Sequence, residues 1–344
     1  MDLFGTAGIR GSVEKRVTPE LALAVGRAVA AEIRETGDGD PLIAEVVLAR
    51  DGRVTGPAIA AAMESGLASG GVDVLRAGQL PTPGLAHASR GRYGMMLTAS
   101  HNPPADNGIK LFRDGSEFDR DAEVAVEERV AAEEPSAAWD EWTTTERVDT
   151  LGGYLDDVVA YANQFGADLD GLRIAIDCGN GMAAPATPTV LRRLGAEGVT
   201  LNGNVDGHFP GRGSKPTPET LRDLRAFVAD ANEDVERPGR PNDGNGDGET
   251  DDAEGFAFGI GHDGDADRIV VVDADGEVVH EDTVLALLAE LYTRESDAAD
   301  PVVVTTPNAS GRIDERVNEA GGRVERVRLG ALHEGIAAVR ADAE

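Results

Sequence analysis

Short apolar runs alternate with longer amphipathic stretches along this chain, and a strand-helix-strand order of that kind argues for largely parallel sheets covered by helices. One series begins at Val46-Val47-Leu48-Ala49, passes through a helix over about 57–69 and continues through Val72-Asp73-Val74-Leu75, Tyr93 to Leu97 and Gly108 to Phe112. An acidic, Thr-rich stretch from Glu133 to Val148 closes it. A second series has a helix near 154–165, the strand Leu172 to Asp177, and the turn Cys178-Gly179-Asn180-Gly181, which opens another helix. One more helix follows the Pro- and Gly-rich segment Phe209 to Pro218, and the polar tract Arg237 to Gly255 reads as a linker or insertion. The third series holds strands at Phe256 to Ile260, Ile269 to Asp273 and Val302 to Thr305, with helices near 283–294, 312–320 and 331–341. Three α/β units result, with bounds at 1–148, 149–255 and 256–344.

At 344 residues the chain is long enough for two or three cores. Its formal net charge of -31 repels nucleic acid and anionic lipid, so neither is expected as a partner. Of its 32 basic residues only Lys15, Lys110 and Lys215 are lysines. Such an excess of acid opposes compaction unless salt screens it, which points to a salt-adapted cytoplasm. Stability of the monomer that does not change between low and molar KCl argues instead for an acidic mesophilic protein. The single Cys178 forms no internal disulfide, in keeping with a reducing cytoplasm, and no apolar run is long enough to span a bilayer.

Two loops carry the chemistry. Thr98-Ala99-Ser100-His101-Asn102-Pro103-Pro104 follows an apolar strand, at the strand end where open α/β sheets bind ligands. Ser100 is thereby a candidate nucleophile, although Ser and Asn-Pro are also ordinary turn residues. Asp263, Asp265 and Asp267 sit at alternating positions, and an extended backbone points all three the same way. Clustered carboxylates need a cation, and hard oxygen ligands suit Mg²⁺, whereas an Asp-Gly turn alone is the plainer alternative. Gly5-Thr6-Ala7-Gly8-Ile9-Arg10-Gly11 offers amides, a hydroxyl and a guanidinium for a phosphate, or a tight turn. Lys110 is one of three lysines and lies beside the candidate nucleophile, which suits a titratable amine. Asp243, Asn245, Asp247, Gly248 and Glu254 match a calcium loop, but Pro238 and Pro241 interrupt the entering helix that such a loop requires.

Together these segments, with Asp177 to Gly181, Phe209 to Arg212 and Pro216-Thr217-Pro218, resemble the α-D-phosphohexomutase family of phosphoglucomutases, phosphomannomutases and phosphoglucosamine mutases. The resemblance implies three consecutive α/β domains with mixed, largely parallel sheets, the third incomplete and a fourth absent. The family's sugar loop and its Arg-Ser-Thr-rich phosphate grip are not found before Glu344. It further implies a phosphoryl group on Ser100, and Mg²⁺ held by Asp263, Asp265, Asp267 and Ser100. Arg10 and Arg268 would stabilise the transferring charge, Lys110 and His101 would move protons, and Gly5, Thr6 and Asn102 would bind phosphate. The implied reaction interconverts hexose 6- and 1-phosphates through a hexose 1,6-bisphosphate. Glucosamine phosphate is the first choice of substrate, from Asp106 to Phe112, with mannose or glucose phosphate as runner-up. A truncated, catalytically incomplete metal-binding protein and a phosphatase-like enzyme are the readings from other classes.

Overall fold

The structure is a computed structural model that describes residues 3–5, 8–36, 43–166, 168–236, 255–328 and 332–343. Thr6 and the calcium-loop pattern Asp243–Glu254 lie outside the described residues. Two compact units are present, Met1–Gly276 and Glu277–Glu344.

The first part of the larger unit comprises β1 (Ile9–Ser12), α1 (Pro19–Thr36), β2 (Ile43–Arg50), α2 (Gly56–Ser69), β3 (Asp73–Gln79), α3 (Thr82–Ala88), β4 (Arg92–Leu97), β5 (Asp106–Arg113), β6 (Ser116–Glu117), α4 (Arg120–Ala131) and β7 (Thr145–Arg147). Its sheet runs β1-β5-β4-β2-β3-β7, with β6 beside β5. Strands β4, β2, β3 and β7 are mutually parallel, whereas β1 and β4 pair antiparallel with β5. Period-2 alternation divides the side chains between two cores. Val46, Leu48, Met95, Leu97, Ile109 and Leu111 pack with α1 and α2, while Val47, Ala49, Met96 and Phe112 pack with Leu80 and Leu85. Central strands buried on both faces are why Val46 to Ala49 is an unbroken apolar run rather than an alternating one.

The rest of this unit contains α5 (Leu151–Ala162), β8 (Arg173–Asp177), α6 (Thr187–Arg193), β9 (Glu197–Leu201), α7 (Arg222–Glu236), β10 (Phe258–His262) and β11 (Ile269–Val272), with sheet order β11-β10-β8-β9. The expected boundary between 255 and 256 is corrected here. β10 pairs in parallel with β8, Ile260 opposite Ile176, so the acidic loop belongs to the second sheet and not to a third domain. The turn at Cys178 does not open a helix directly either, since α6 starts at Thr187 after further turns.

The smaller unit holds α8 (Glu281–Arg294), β12 (Val302–Thr305), α9 (Arg312–Glu319), β13 (Arg323–Arg326) and α10 (Leu332–Ala343). β12 and β13 pair in parallel, and Ile313, Val317, Ala286 and Ala289 form its core. The expected succession of two helices after β12 lacked β13, whose sequence Arg-Val-Glu-Arg offers one apolar residue. Among the described residues no helix is long and apolar enough to cross a membrane.

Candidate active site

Ser100 follows the carboxyl end of β4, beside the carboxyl end of the parallel β2. Its backbone takes φ 50 and its side chain is fully buried. A left-handed conformation at a non-glycine residue is costly and persists where surrounding contacts over-determine it. Those contacts come from Asp51 and Arg53, which the sequence reading missed. Arg53 is fully buried and pairs through Nε with Asp51 Oδ2 at 3.0 Å. Its Nη1 donates to the carbonyls of Pro103 at 2.6 Å and Asp106 at 2.9 Å. Its Nη2 donates to those of Ser100 at 2.9 Å and Asn102 at 2.8 Å. Thr98 Oγ1 donates to Asp51 Oδ2 at 2.8 Å and accepts from Ser100 N at 2.9 Å, which closes a ring of hydrogen bonds around the serine. Burial pushes Asp51 up to about 6 against Arg53 and Thr98, so its carboxylate is still charged at neutral pH.

The second sheet supplies the acidic loop between β10 and β11. These strands are antiparallel, so residues 263–268 must reverse direction. The loop is therefore a turn with Ala266 at φ 60, which corrects the expectation of an extended backbone. The carboxylates converge nonetheless: one oxygen from each of Asp263, Asp265 and Asp267 lies within 4.8 Å of the others. Ser100 Oγ donates to Asp263 Oδ2 at 2.7 Å, joining the two loops. They meet closely enough that a Cβ on Gly264 would lie 2.7 Å from the Ser100 carbonyl oxygen. Thr82, at the start of α3, aims Asp265 by donating its hydroxyl to Oδ2 at 2.7 Å. Arg212 ties the carboxyl ends of β8 and β10 together, through Asp177 Oδ2 at 2.7 Å and the His262 carbonyl at 2.6 Å.

Charge in this cluster is unbalanced. Burial first, then the charges of Asp265 and Asp267, push Asp263 up to about 8. Asp265 Oδ1 is buried with no hydrogen-bond partner. Buried polar atoms are seldom left so, and a hard cation with oxygen ligands fits the vacancy in bonding. On the other side, Lys110 Nζ lies 3.0 Å from Asp267 Oδ2 and 3.1 Å from Glu117 Oε1. Burial acts to lower its pKa, but Glu117, Asp267 and Asp265 prevail and hold the ammonium above the ordinary lysine value. His101 Nδ1 lies 3.2 Å from Ser100 Oγ. Burial, followed by the positive charges of Arg268, Arg10 and Lys215, holds its imidazole below the usual range.

The remaining predicted residues divide. Arg10 has a buried Nε without a partner, and its side chain packs over Gly108 of β5. Arg268 is about half exposed, with Nε 3.9 Å from Asp267 Oδ1. Asn102 and Gly5 are engaged elsewhere. The Asn102 amide donates to Asp106 Oδ2 at 3.0 Å and Gly5 N donates to Gly8 O at 3.0 Å, so both help to hold loop shape.

The chain that brings this serine and acidic triad together across two adjacent sheets is similar to known proteins along most of its length. The family description "Phosphoglucomutase/phosphomannomutase, alpha/beta/alpha domain I" matches residues 1–137, and domain II of the same family matches residues 152–276. A phosphopentomutase of Thermococcus kodakarensis is 39% identical over 340 residues, covering 98% of this chain and 67% of that protein. A probable phosphoglucosamine mutase of Methanopyrus kandleri is also 39% identical, over 96% of this chain and 66% of its own length. The crystal structure of a phosphoglucomutase/phosphomannomutase family protein from Burkholderia thailandensis superposes with a TM-score of 0.80 at 28% identity, over 98% of this chain and 68% of that one. The chain thus spans about two thirds of the length of the relatives it matches. On fold, sequence and domain matches alike, it belongs to the phosphoglucomutase/phosphomannomutase family, the α-D-phosphohexomutases.

Proposed function

We propose that this chain carries a phosphoryl group on Ser100 and exchanges it with a sugar phosphate, interconverting two positional isomers through a sugar bisphosphate. One observation carries the reading: Ser100 Oγ lies 2.7 Å from Asp263, at the edge of a three-carboxylate cluster. Asp263, Asp265 and Asp267, with an oxygen on Ser100, would hold Mg²⁺, and the orphaned Asp265 Oδ1 supports that assignment. When bound, the ion supplies positive charge against the phosphoryl oxygens.

The protonation states fit one direction of transfer directly. When phosphate passes from sugar to enzyme, a P–O bond forms to Ser100 Oγ and the bond from phosphorus to the sugar oxygen breaks. His101, held neutral beside Oγ, takes the serine proton once the hydroxyl turns away from Asp263, to which it otherwise donates. Lys110, held charged, gives a proton to the departing sugar oxygen. The reverse transfer returns both protons by the same atoms. Arg10 and Arg268 stabilise the charge on the phosphoryl group in flight.

Glucosamine phosphate is the first substrate we propose, from the run Asp106 to Phe112, ahead of mannose or glucose phosphate. The 39% identity to a phosphopentomutase favours pentose phosphate as a second reading. Incubation with glucosamine 1,6-bisphosphate or glucose 1,6-bisphosphate, followed by peptide mass analysis, tests the chemistry. Phosphate is expected on the peptide containing Ser100 and is absent in Ser100→Ala. Equal incorporation in that variant, or none in the wild type, sinks the reading. Relative exchange rates with glucosamine, glucose, mannose and pentose bisphosphates then rank the sugars.

A further inference from the structure

The carboxyl ends of β2, β3 and β7 line a half-open cleft of about 380 Å³ that shares no lining residue with the Ser100 and Asp263 loops, with Arg147 at its exposed rim. That size lies within the range of small-molecule sites, and parallel strands of an open sheet bind ligands at this end. Its walls are apolar at Leu48, Pro57 and Val148, and three guanidiniums line it: Arg50, Arg76 and Arg147. Pro57 belongs to the first turn of α2, whose N-cap Thr55 makes no side-chain cap and whose positive dipole end is therefore unanswered there.

Arg76 and Arg147 are register partners on β3 and β7, side by side. Like charges at such positions destabilise a sheet unless something of opposite sign lies between them. Glu64 pairs with Arg76, yet Arg76 Nε is buried without a hydrogen-bond partner. The Arg147 side chain has neither hydrogen bond nor ion pair among the described residues. Arg50 donates to a backbone carbonyl, that of Asp51, at 2.9 Å, and its side chain lies against Gly56 at the start of α2. Glu64 beside Arg76, and an Asp51 near Arg50 that is already paired with Arg53, leave three guanidiniums with a positive excess within a chain of net charge -31.

We propose that this cleft binds a small organic oxyanion of charge two or more, a phosphate ester or a polycarboxylate, at a place separate from Ser100. Bidentate guanidinium contacts suit either chemistry. The test is thermal unfolding and titration calorimetry of the 344-residue chain in metal-free buffer, with pyrophosphate and citrate as probes and acetate as the monoanion control. Pyrophosphate alone stabilising the chain assigns a phosphate site, and citrate as well assigns a general polyanion site. Arg147→Gln, or Arg50→Gln should the first variant fold poorly, is expected to weaken binding by about tenfold or more, the scale of one charge-assisted hydrogen bond. Arg268→Gln, at the acidic cluster, is expected to keep it. Without probe, Arg147→Gln should melt no lower than the wild type, because a like-charge pair has been removed. Probe affinity unchanged in both Arg147→Gln and Arg50→Gln overturns the proposal, as does affinity lost in Arg268→Gln alone.

Discussion

The two loops that meet at Ser100 are held in opposite ways. The serine loop is electrostatically complete: Arg53 is neutralised by Asp51 and donates to four carbonyls between residues 100 and 106. The acidic loop is incomplete, with three converging carboxylates, one orphaned oxygen and a carboxyl pushed up to about 8. A site that presents a nucleophile and receives a cation benefits from this difference. On the proposed reading, the part that must not move is fixed by contacts within the chain, while the part that would bind an ion keeps its ligands under-satisfied without it.

The sharpest way to break the comparison is to remove the clamp. Arg53→Met leaves Asp51 as a buried carboxylate without its cation and takes a donor from four loop carbonyls, of which only those of Asn102 and Pro103 keep another, from Ser214 Oγ and Asp106 N. Loss of one partner of a buried pair costs about 3–5 kcal/mol, so denaturant unfolding should show a loss of that size. A loss below about 1 kcal/mol, within the range of ordinary surface substitutions and weak contacts, means that the loop is held by something other than Arg53.

Removing a charge from the acidic loop should act in the opposite sense. Asp265→Asn keeps an oxygen for the Thr82 hydroxyl but relieves repulsion on Asp263. Without metal its melting temperature should equal or exceed that of the wild type. With Mg²⁺ the wild type should gain stability, about 2.7 kcal/mol at a hundredfold excess over Kd, and the variant should gain far less. Equal Mg²⁺ gains in both proteins, read by thermal unfolding with and without EDTA, remove the cation from the account of this loop.

The two loops were not equally legible in the sequence. Ser100 and the three aspartates stand in compact motifs, and their placement at strand ends follows from the apolar runs Tyr93 to Leu97 and Phe256 to Ile260. Arg53 was invisible because Asp51-Gly52-Arg53 reads as a turn, and its four acceptors are backbone atoms some 50 residues away in sequence. Backbone acceptors leave no trace in residue type. The roles of Thr82 and Arg212 were missed for a different reason: their acceptors are side-chain carboxylates, of Asp265 and Asp177, but far away in sequence. The alternation of the aspartates was visible, but not that a hairpin reversal at Ala266 brings them together. The boundary at 255 failed because the parallel pairing of β10 with β8 spans residues that composition reads as a linker.

The smallest expected effect asks whether the scaffold beneath the acidic loop is as firm as that beneath the serine loop. Cys178 follows β8, the strand that pairs with β10, and is fully buried; burial pushes its thiol up to about 12. At pH 8 it should resist alkylation in the folded chain and react once the chain is unfolded, because the thiolate is the reactive form. The pH dependence of stability has a definite sign. Between about 9 and about 12 the native thiol keeps a proton that the unfolded thiol loses, so stability falls as pH rises through that window. The slope is at most about 1.4 kcal/mol per pH unit. Cys178→Ala should flatten it by that amount between pH 9 and 10, measured by urea unfolding, while leaving stability at pH 7 lower by a smaller packing loss. An identical slope in the variant, or fast alkylation of the folded wild type, would mean that the β8 end opens in solution. The incompleteness of the acidic loop would then belong to its scaffold as well as to its charges, and the contrast with the clamped serine loop would be one of whole sheets rather than of two turns.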